Sequence, residues 1–514
     1  MANQKLETLL NISLDVTEQE REKSPDLNAG VNEEEDTWEL IVKYIDSISE
    51  LKDKYPGIVV YELLNQYAVV ITPKRYIEYI SREKQVDFIE KPKLLYFELL
   101  SEKAASCITQ LQQGADNPYN LYGEGVIVAV IDTGIDVMLP EFQNPDKTTR
   151  ILNIWEQDSD AEYDSEDINS YILNPQGKQA PGFDYNGHGT QVARIACGNN
   201  GVAPKSGIIV VKMGTSGRNA FPRTTQLMRA VDYCIRKAAA YNMPVAVNIS
   251  FGNNYGDHTG TSIQESFINS AAAAWKSAVC VGSGNEGLGA VHTSGVLKND
   301  EEYAVELAVS TYETSLNIQI WKDYWDDFDV EIINPAGRNL GRISRYNTVN
   351  RTSLDGTEVL TYYGQPMPFS VRQEIYIDMI PERNYILSGI WIIRLIPNRI
   401  RTGRFDMWLP SINATNQGTG FTRPDSNVTL TVPSTAPNVI TVGSYNAAVG
   451  NPSPFSGRGY VISIGSAVTS KPDLVAPGEN VRLDERTVVT GTSFATPFVT
   501  GSAALLMEWG CGVI

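Results

Sequence analysis

Positive charge is in short supply in this 514-residue chain: 42 lysines and arginines face 61 aspartates and glutamates, for a net charge of -19. A surface this acidic repels phosphate backbones and anionic headgroups, which excludes nucleic acid and membrane surfaces as main partners. Long hydrophobic runs are also missing. None approaches the roughly 20 residues a bilayer-spanning helix needs. Residues 1–14 lack a cationic segment followed by an apolar run and a small-residue cleavage site, so no signal peptide is expected. Cysteine is sparse. Cys107, Cys197, Cys234, Cys280 and Cys511 are odd in number and none is in CxxC spacing, so free buried thiols in a reducing compartment are expected. Histidine is rarer still, with only His188, His258 and His292. The 41 glycines and 26 prolines are ordinary and do not point to disorder. No internal repeat or low-complexity tract is present.

What is there divides into four stretches. Residues 1–95 read as a small α+β unit. Trp38, Ile41, Val42, Ile45, Ile48 and Leu51 recur at three- and four-residue spacing and predict an amphipathic helix, with Asp36 or Thr37 as its cap. Strands at 58–63 and 67–71, a short helix after Pro73 and a strand at 86–89 follow. Residues 96–296 and 426–514 hold continuous apolar runs at 126–131, 208–212, 245–250, 278–282 and 439–442, alternating with helical stretches. One of those places Leu227, Ala230, Val231, Cys234, Ile235 and Ala238 on a face. This pattern predicts an α/β fold with a buried parallel sheet. Residues 297–425 change character. Short alternating runs at 303–309, 316–321, 330–333, 391–395 and 405–409, separated by turns such as Asn334-Pro335-Ala336-Gly337, predict an inserted all-β, jelly-roll-like domain.

Three motifs carry chemistry. Ile131-Asp132-Thr133-Gly134 closes the first apolar run, where open α/β sheets collect their active sites. A buried carboxylate there can hold an imidazole in one tautomer. Asn186-Gly187-His188-Gly189-Thr190 brackets a histidine with glycines ahead of a helical apolar face, an arrangement suited to a general base. His258 and His292 have no such context and read as ordinary loop residues. Gly491-Thr492-Ser493-Phe494-Ala495-Thr496-Pro497 sets a serine at a helix N-terminus, in the positive end of the helix dipole.

Asp, then Gly-His-Gly-Thr, then Gly-Thr-Ser-x-Ala-Thr-Pro, in that chain order, resembles the subtilisin-like serine peptidases (subtilases, peptidase family S8). The resemblance implies a three-layer fold around a parallel sheet, and Asp132, His188 and Ser493 as a catalytic triad. It covers about residues 123–285 and 428–507. Within it, Ser250-Phe251-Gly252 resembles the segment that pairs with an extended substrate backbone. Gly282-Ser283-Gly284-Asn285 resembles the oxyanion-hole segment, with Asn285 as the side-chain donor and Gly282, Ser283 and Gly284 along the primary specificity pocket. Lys471-Pro472-Asp473-Leu474-Val475-Ala476-Pro477-Gly478 fits the same family.

By that resemblance residues 1–95 are a propeptide that chaperones folding and blocks the cleft until it is cut, within residues 90–105. The ensemble resembles the Csp germination proteases of spore-forming clostridia. This implies a protein zymogen of a spore-cortex hydrolase as substrate, and a cytoplasmic or spore-associated location.

Two departures from the family matter. The loop Cys197-Gly198-Asn199-Asn200-Gly201-Val202-Ala203-Pro204 is shorter than in calcium-binding members, and Glu141 stands without most of the partners a calcium would need. No metal or other cofactor is therefore expected. The sequence also stops at Ile514 soon after the serine helix, which is expected to leave that helix short of cover and puts activity in doubt. Two rival readings remain: a catalytically silent binding or signalling protein on the same scaffold, and an aspartic peptidase built on Asp132-Thr133-Gly134. The second lacks the partner Asp-Thr-Gly it would require.

Overall fold

The computed structural model describes residues 3–32, 36–93, 96–97, 102–103, 109–112, 119–177, 179–214, 221–366, 370–459, 461–464, 467–484 and 487–510. They fall into two units. One comprises Met1–Tyr96, Asn253–Ile263 and Leu288–Val432; the other comprises Phe97–Gly252, Gln264–Gly287 and Pro433–Ile514.

The second unit is built on a sheet whose central strands are, in spatial order, Ile151–Glu156, Gly207–Lys212, Ile127–Asp132, Val245–Ile249, Ser277–Gly282, Ile440–Asn446 and Leu474–Arg482. Each pairs in parallel with its neighbour. The Ile127–Asp132 and Val245–Ile249 strands are buried along their whole length. That is why they read as unbroken apolar runs rather than alternating ones. Helices His188–Cys197 and Thr224–Ala240 each turn an apolar stripe inward. The last helix, Thr492–Gly510, buries its first half almost completely. Its apolar residues pack with those of the His188 helix in one core that includes Val192, Ile195, Phe494, Ala495 and Phe498.

In the first unit, Thr37–Tyr44 is the middle of a five-stranded antiparallel sheet, flanked by Val31–Asn32, Tyr67–Pro73 and Val86–Glu90, with Val59–Leu63 beyond. The predicted helix over this segment is thus corrected. Leu40, Ile41 and Val42 are all buried because both faces of the strand are covered, whereas Ile45, placed on the helix's apolar face, is 51% exposed. A contiguous run of β-branched and aromatic residues mimics helical spacing when it is buried on both sides. The strands Val59–Leu63, Tyr67–Pro73 and Val86–Glu90 and the short helix Ile77–Ser81 lie where the sequence places them.

The same unit contains two further antiparallel sheets. One orders His292–Val296, Arg404–Trp408, Leu316–Asp323, Arg372–Pro381, Thr357–Tyr363 and Val349–Leu354. The other orders Asn339–Ile343, Asp327–Ile333, Gly389–Arg399, Tyr303–Val309 and Gly420–Phe421. Inward side chains of both make a common core, including Ile318, Ile320, Ile375 and Ile377 from one sheet and Phe328, Val330, Ile393 and Leu395 from the other. The strand Arg372–Pro381 is buried on both faces. Its outer face lies under the N-terminal helices Thr8–Asp15 and Pro25–Asn28, where Leu9, Ile12 and Leu27 meet Leu360, Tyr362, Tyr376 and Ile380.

His258 and His292 are both buried; His258 lies in a loop, as read from the sequence, and His292 does not. His292 begins a strand paired with Arg404–Trp408, and both imidazoles stack on the Trp408 ring at 4.2 and 4.8 Å. The loop reading is corrected for His292 alone, because its strand partner lies far along the sequence. Cys197, Cys234 and Cys280 are buried free thiols. Burial pushes the thiols of Cys197 and Cys280 up to about 12, which makes them inert at neutral pH. Cys107, Cys511, and half of the expected cleavage region between 90 and 105, lie outside the described residues. Among the described residues no helix is long and apolar enough to cross a membrane.

Candidate active site

Asp132 is the last residue of its strand and is fully buried. Its Oδ1 accepts the N–H of Thr133 at 2.8 Å and meets His188 Nδ1 at 2.6 Å. His188 is the first residue of its helix and is likewise buried. Close approach of helix and strand end depends on glycine. A Cβ on Gly189 would sit 2.3 Å from the Gly134 carbonyl oxygen and 2.9 Å from Asp132 Cβ. Thr133 and Thr190, members of the two motifs, also meet here through Asp184, which the sequence reading did not single out. The available signal was a carboxylate four residues before the histidine.

Ser493 is the second residue of the Thr492–Gly510 helix and has no exposed surface. Pro497 lies four residues further on and has no N–H to donate back to the Ser493 carbonyl. Ser250 Oγ donates to that carbonyl instead, at 3.2 Å. Ser250 Oγ in turn accepts from Asn248 Nδ2 at 2.9 Å, and Asn248 Oδ1 accepts from Thr500 Oγ1 at 3.0 Å. This buried chain ties the serine turn to the end of the Val245–Ile249 strand and to the Phe251–Gly252 segment. Ser493 Oγ lies 3.5 Å from the Ser250 carbonyl oxygen. Phe494, the next residue, places its ring centroid 5.2 Å from that of the His188 imidazole.

Asn285 is held from one side only. Its Oδ1 accepts from Thr492 N at 3.1 Å and Thr492 Oγ1 at 3.3 Å. Its buried Nδ2 has no acceptor among the described residues. A buried amide donor with a fixed orientation and no internal partner is costly unless something else accepts from it. Gly282, Ser283 and Gly284 run from the adjacent strand end. Ser283 N donates to Val442 O at 2.9 Å, and Gly284 O accepts from Gly457 N at 2.7 Å. Gly284 has φ +94°, a conformation suited to glycine. Asp132, His188, Ser493, Ser250 and Asn285 thus all lie in the second unit, around the ends of neighbouring parallel strands.

The residues near Glu141 do not fit a calcium ion. That ion takes six to eight oxygen ligands. Here both Glu141 oxygens accept from the Arg194 guanidinium, at 2.9 and 2.8 Å, and Arg194 also reaches Asp484 at 3.0 Å. Neighbouring carbonyls are taken as well. Arg150 Nη2 donates to Glu141 O at 2.9 Å and also to Cys197 O. Asn199 Nδ2 donates to Pro140 O at 2.9 Å. Two guanidinium groups supply the positive charge.

The sequence model of the subtilase family matches residues 123–370 and 406–510. That of the Csp protease B prodomain matches residues 4–93. Among solved structures, the Clostridium perfringens CspB protease is similar at 36% identity and a TM-score of 0.73, over 79% of this chain and 85% of that one. Subtilisin-like protease 3 of Arthroderma benhamiae is 27% identical over 158 residues, which is 30% of this chain and 33% of that one. Subtilisin-like protease SBT2.2 of Arabidopsis thaliana is 30% identical over 168 residues, 27% of this chain and 19% of that one. The chain therefore spans a third or less of the length of these two curated relatives. With its family model matched over more than half of its residues, the chain belongs to the subtilase family of serine peptidases and carries a Csp protease B prodomain within residues 4–93.

Proposed function

We propose that this chain is a serine endopeptidase that hydrolyses peptide bonds through an acyl-enzyme. The observation that carries this reading is the buried 2.6 Å contact between Asp132 Oδ1 and His188 Nδ1. It fixes the imidazole with Nδ1 toward a carboxylate and leaves Nε2 as the basic nitrogen. In the proposed reaction Ser493 Oγ attacks the scissile carbonyl carbon while His188 Nε2 takes its proton. The resulting oxyanion is bound by Asn285 Nδ2 and the Ser493 N–H. His188 then donates its proton to the departing amine, and water releases the acyl group by the same steps in reverse roles. Asp132 stabilises the imidazolium throughout. Ser250, Phe251 and Gly252 pair with the extended substrate, and Gly282, Ser283 and Gly284 border the pocket for the side chain before the cut.

We assign residues 1–95 as a propeptide removed by the enzyme itself, 96–296 and 426–514 as the catalytic domain, and 297–425 as an inserted jelly-roll-like domain. The match of residues 4–93 to a protease prodomain supports the first assignment. The similarity to the CspB protease supports a protease role; a protein zymogen as substrate is what the resemblance to the Csp germination proteases implies. A spore-cortex hydrolase precursor is the candidate, and a cytoplasmic or spore-associated location follows from it. Nucleic acid and membranes are set aside on the net charge of -19.

Gel electrophoresis with intact mass, on the protein and its Ser493→Ala variant, tests the reading. Two fragments split near residue 95 in the first, and an intact variant, are expected. Both proteins remaining whole, with no hydrolysis of added substrate, would instead favour the silent-scaffold reading.

A further inference from the structure

We propose that Asp184 is a positioning residue for peptide hydrolysis: its carboxylate clamps the loop after Asp132 to the first turn of the His188 helix. The inference rests on the reading of Asp132, His188 and Ser493 as the triad.

Both carboxylate oxygens are used, and they face two different elements. Oδ1 accepts from Thr133 Oγ1 at 2.8 Å and from Gly187 N at 3.0 Å. Oδ2 accepts from Thr190 N at 2.8 Å and from Thr190 Oγ1 at 2.6 Å. The two threonine hydroxyls each pass the link on. Thr133 Oγ1 accepts from Gly189 N at 3.0 Å, and Thr190 Oγ1 accepts from Asp136 N at 3.0 Å. The residues that follow Asp132 and His188 are therefore laced together directly, 133 to 189 and 136 to 190, and one carboxylate holds both of the hydroxyls that make these links.

The lacing answers a need created by the sequence. A helix begins with backbone N–H groups that have no partner inside it. The residue preceding this helix is Gly187, at φ +78° and with no side chain to cap it. His188 N finds Asn186 Oδ1 at 2.9 Å. Gly189 N and Thr190 N are satisfied through the Asp184 network. Asp184 thus takes the place of an absent cap, and it does so while holding the Asp132 loop. An ionised acceptor with several N–H and O–H donors is among the stronger anchors available to a protein. Its position beside the helix N-terminus is also favourable for a negative charge. Without it, the two threonine hydroxyls lose the acceptor that orients them, and the spacing between Asp132 and His188 rests on links whose hydroxyls are free to turn. Misplacement by about 1 Å at a catalytic pair can cost on the order of 10²-fold in rate.

Asp184→Asn and Asp184→Ala, made in the full chain, test the proposal with two readouts. The first is steady-state hydrolysis of a short peptide ester. The expected result is a fall in kcat of about 10²-fold with KM changed by no more than about twofold, because Asp184 is not placed among the substrate-pairing residues. The isosteric Asn variant guards against a mere loss of folding, and its melting curve is to be recorded alongside. The second readout needs no turnover: the low-field proton resonance of His188 Nδ1–H against Asp132, followed in the Ser493→Ala background. It is expected to shift or broaden in both Asp184 variants. An unchanged kcat, or an unchanged resonance in a variant that is merely less stable, overturns the proposal. If Ser493→Ala itself hydrolyses the ester at the wild-type rate, the triad reading fails, and the resonance still decides whether Asp184 holds Asp132 to His188.

Discussion

Arg194 lies across both carboxylate oxygens of Glu141, Nε to Oε2 at 2.9 Å and Nη2 to Oε1 at 2.8 Å. This two-point pairing is the strongest geometry open to a guanidinium and a carboxylate. It occupies the oxygens that a bound cation would need. Stability is therefore expected to be independent of calcium: melting curves in excess chelator and in millimolar calcium should superimpose. Arg194→Ala removes the internal cation and leaves Glu141 and Asp484 facing each other. Its cost is expected to be about 2 kcal/mol, read from denaturant unfolding. A melting temperature that rises with calcium in the wild-type protein would overturn this account.

The pH dependence of the first unit follows from carboxylates buried beneath its N-terminal helices. Burial raises the Glu374 carboxyl to about 8, with the nearby Glu7 and Glu90 adding to the rise and Lys93 opposing it. Burial likewise raises Asp378 to about 8, with Asp26 adding to it, and Asp26 to about 6, opposed by Lys91. Glu7 is raised by burial against the pull of Lys93, whose Nζ lies 2.7 Å away. A carboxyl raised in the folded state holds a proton that the unfolded chain has released. Between the ordinary carboxylate range and about pH 8 the folded protein therefore binds more protons, and stability falls as pH rises. The contribution is fully present below about pH 4 and is lost as pH passes through the raised values of about 6 to about 8. Calorimetry from about pH 5 to about pH 9 should show the first unit's transition moving to lower temperature. Glu374→Gln and Asp378→Asn should flatten that slope, and an unchanged slope in both would count against the assignment.

Asn285 offers a test of the proposed oxyanion site that is separate from the nucleophile. Its Oδ1 is tied to Thr492 while its Nδ2 is buried without an internal acceptor among the described residues. Asn285→Ala should lower kcat by about 10²–10³-fold, the scale that loss of one side-chain donor to the oxyanion reaches in subtilisin itself. KM should change little, because the donor matters most when charge develops in the transition state. Steady-state kinetics on a peptide ester decide it, and a variant with near wild-type kcat would remove Asn285 from the site.

How much of this was readable in the sequence depends on how far apart the interacting residues are. The surroundings of Asp132, His188 and Ser493 are encoded within a few residues of each, as strand end, glycine bracket and helix start, so the candidates stand out without a structure. The buried parallel strands are equally plain, because a strand covered on both faces is apolar throughout, as 127–131 is. Thr37–Tyr44 misleads in another way: its apolar residues, interrupted by Glu39 and Lys43, fall at a spacing that passes for one face of a helix. The rule for buried strands hides Arg372–Pro381, a strand buried throughout that carries Gln373 and, on the face under the N-terminal helices, Glu374 and Asp378. The roles of Asp184 and Arg194 were invisible for another reason. Each acts on a partner far away in sequence, Thr133 and Glu141; the only local mark is the place of Asp184 four residues before the histidine.

Two glycines beside the histidine make opposite predictions. A Cβ on Gly189 would meet the Gly134 carbonyl oxygen at 2.3 Å and Asp132 Cβ at 2.9 Å, contacts made with backbone and with the triad candidate itself. No rotation of a flexible side chain relieves them, so helix and loop must separate, and Asp132 is drawn away from His188. Gly189→Ala should therefore cost on the order of 10²-fold in kcat, in addition to about 1–3 kcal/mol of overpacking. Gly187 has the less permissive backbone, at φ +78°, but a Cβ there meets only the Gln191 side chain, at 3.7 Å. Gly187→Ala should lose about 1–2 kcal/mol to its left-handed conformation and retain most of its turnover. Kinetics and melting curves of the two variants, measured together, separate strain from misalignment. If both lose stability alike and neither loses kcat selectively, the close approach at Gly189 does not set the Asp132–His188 geometry.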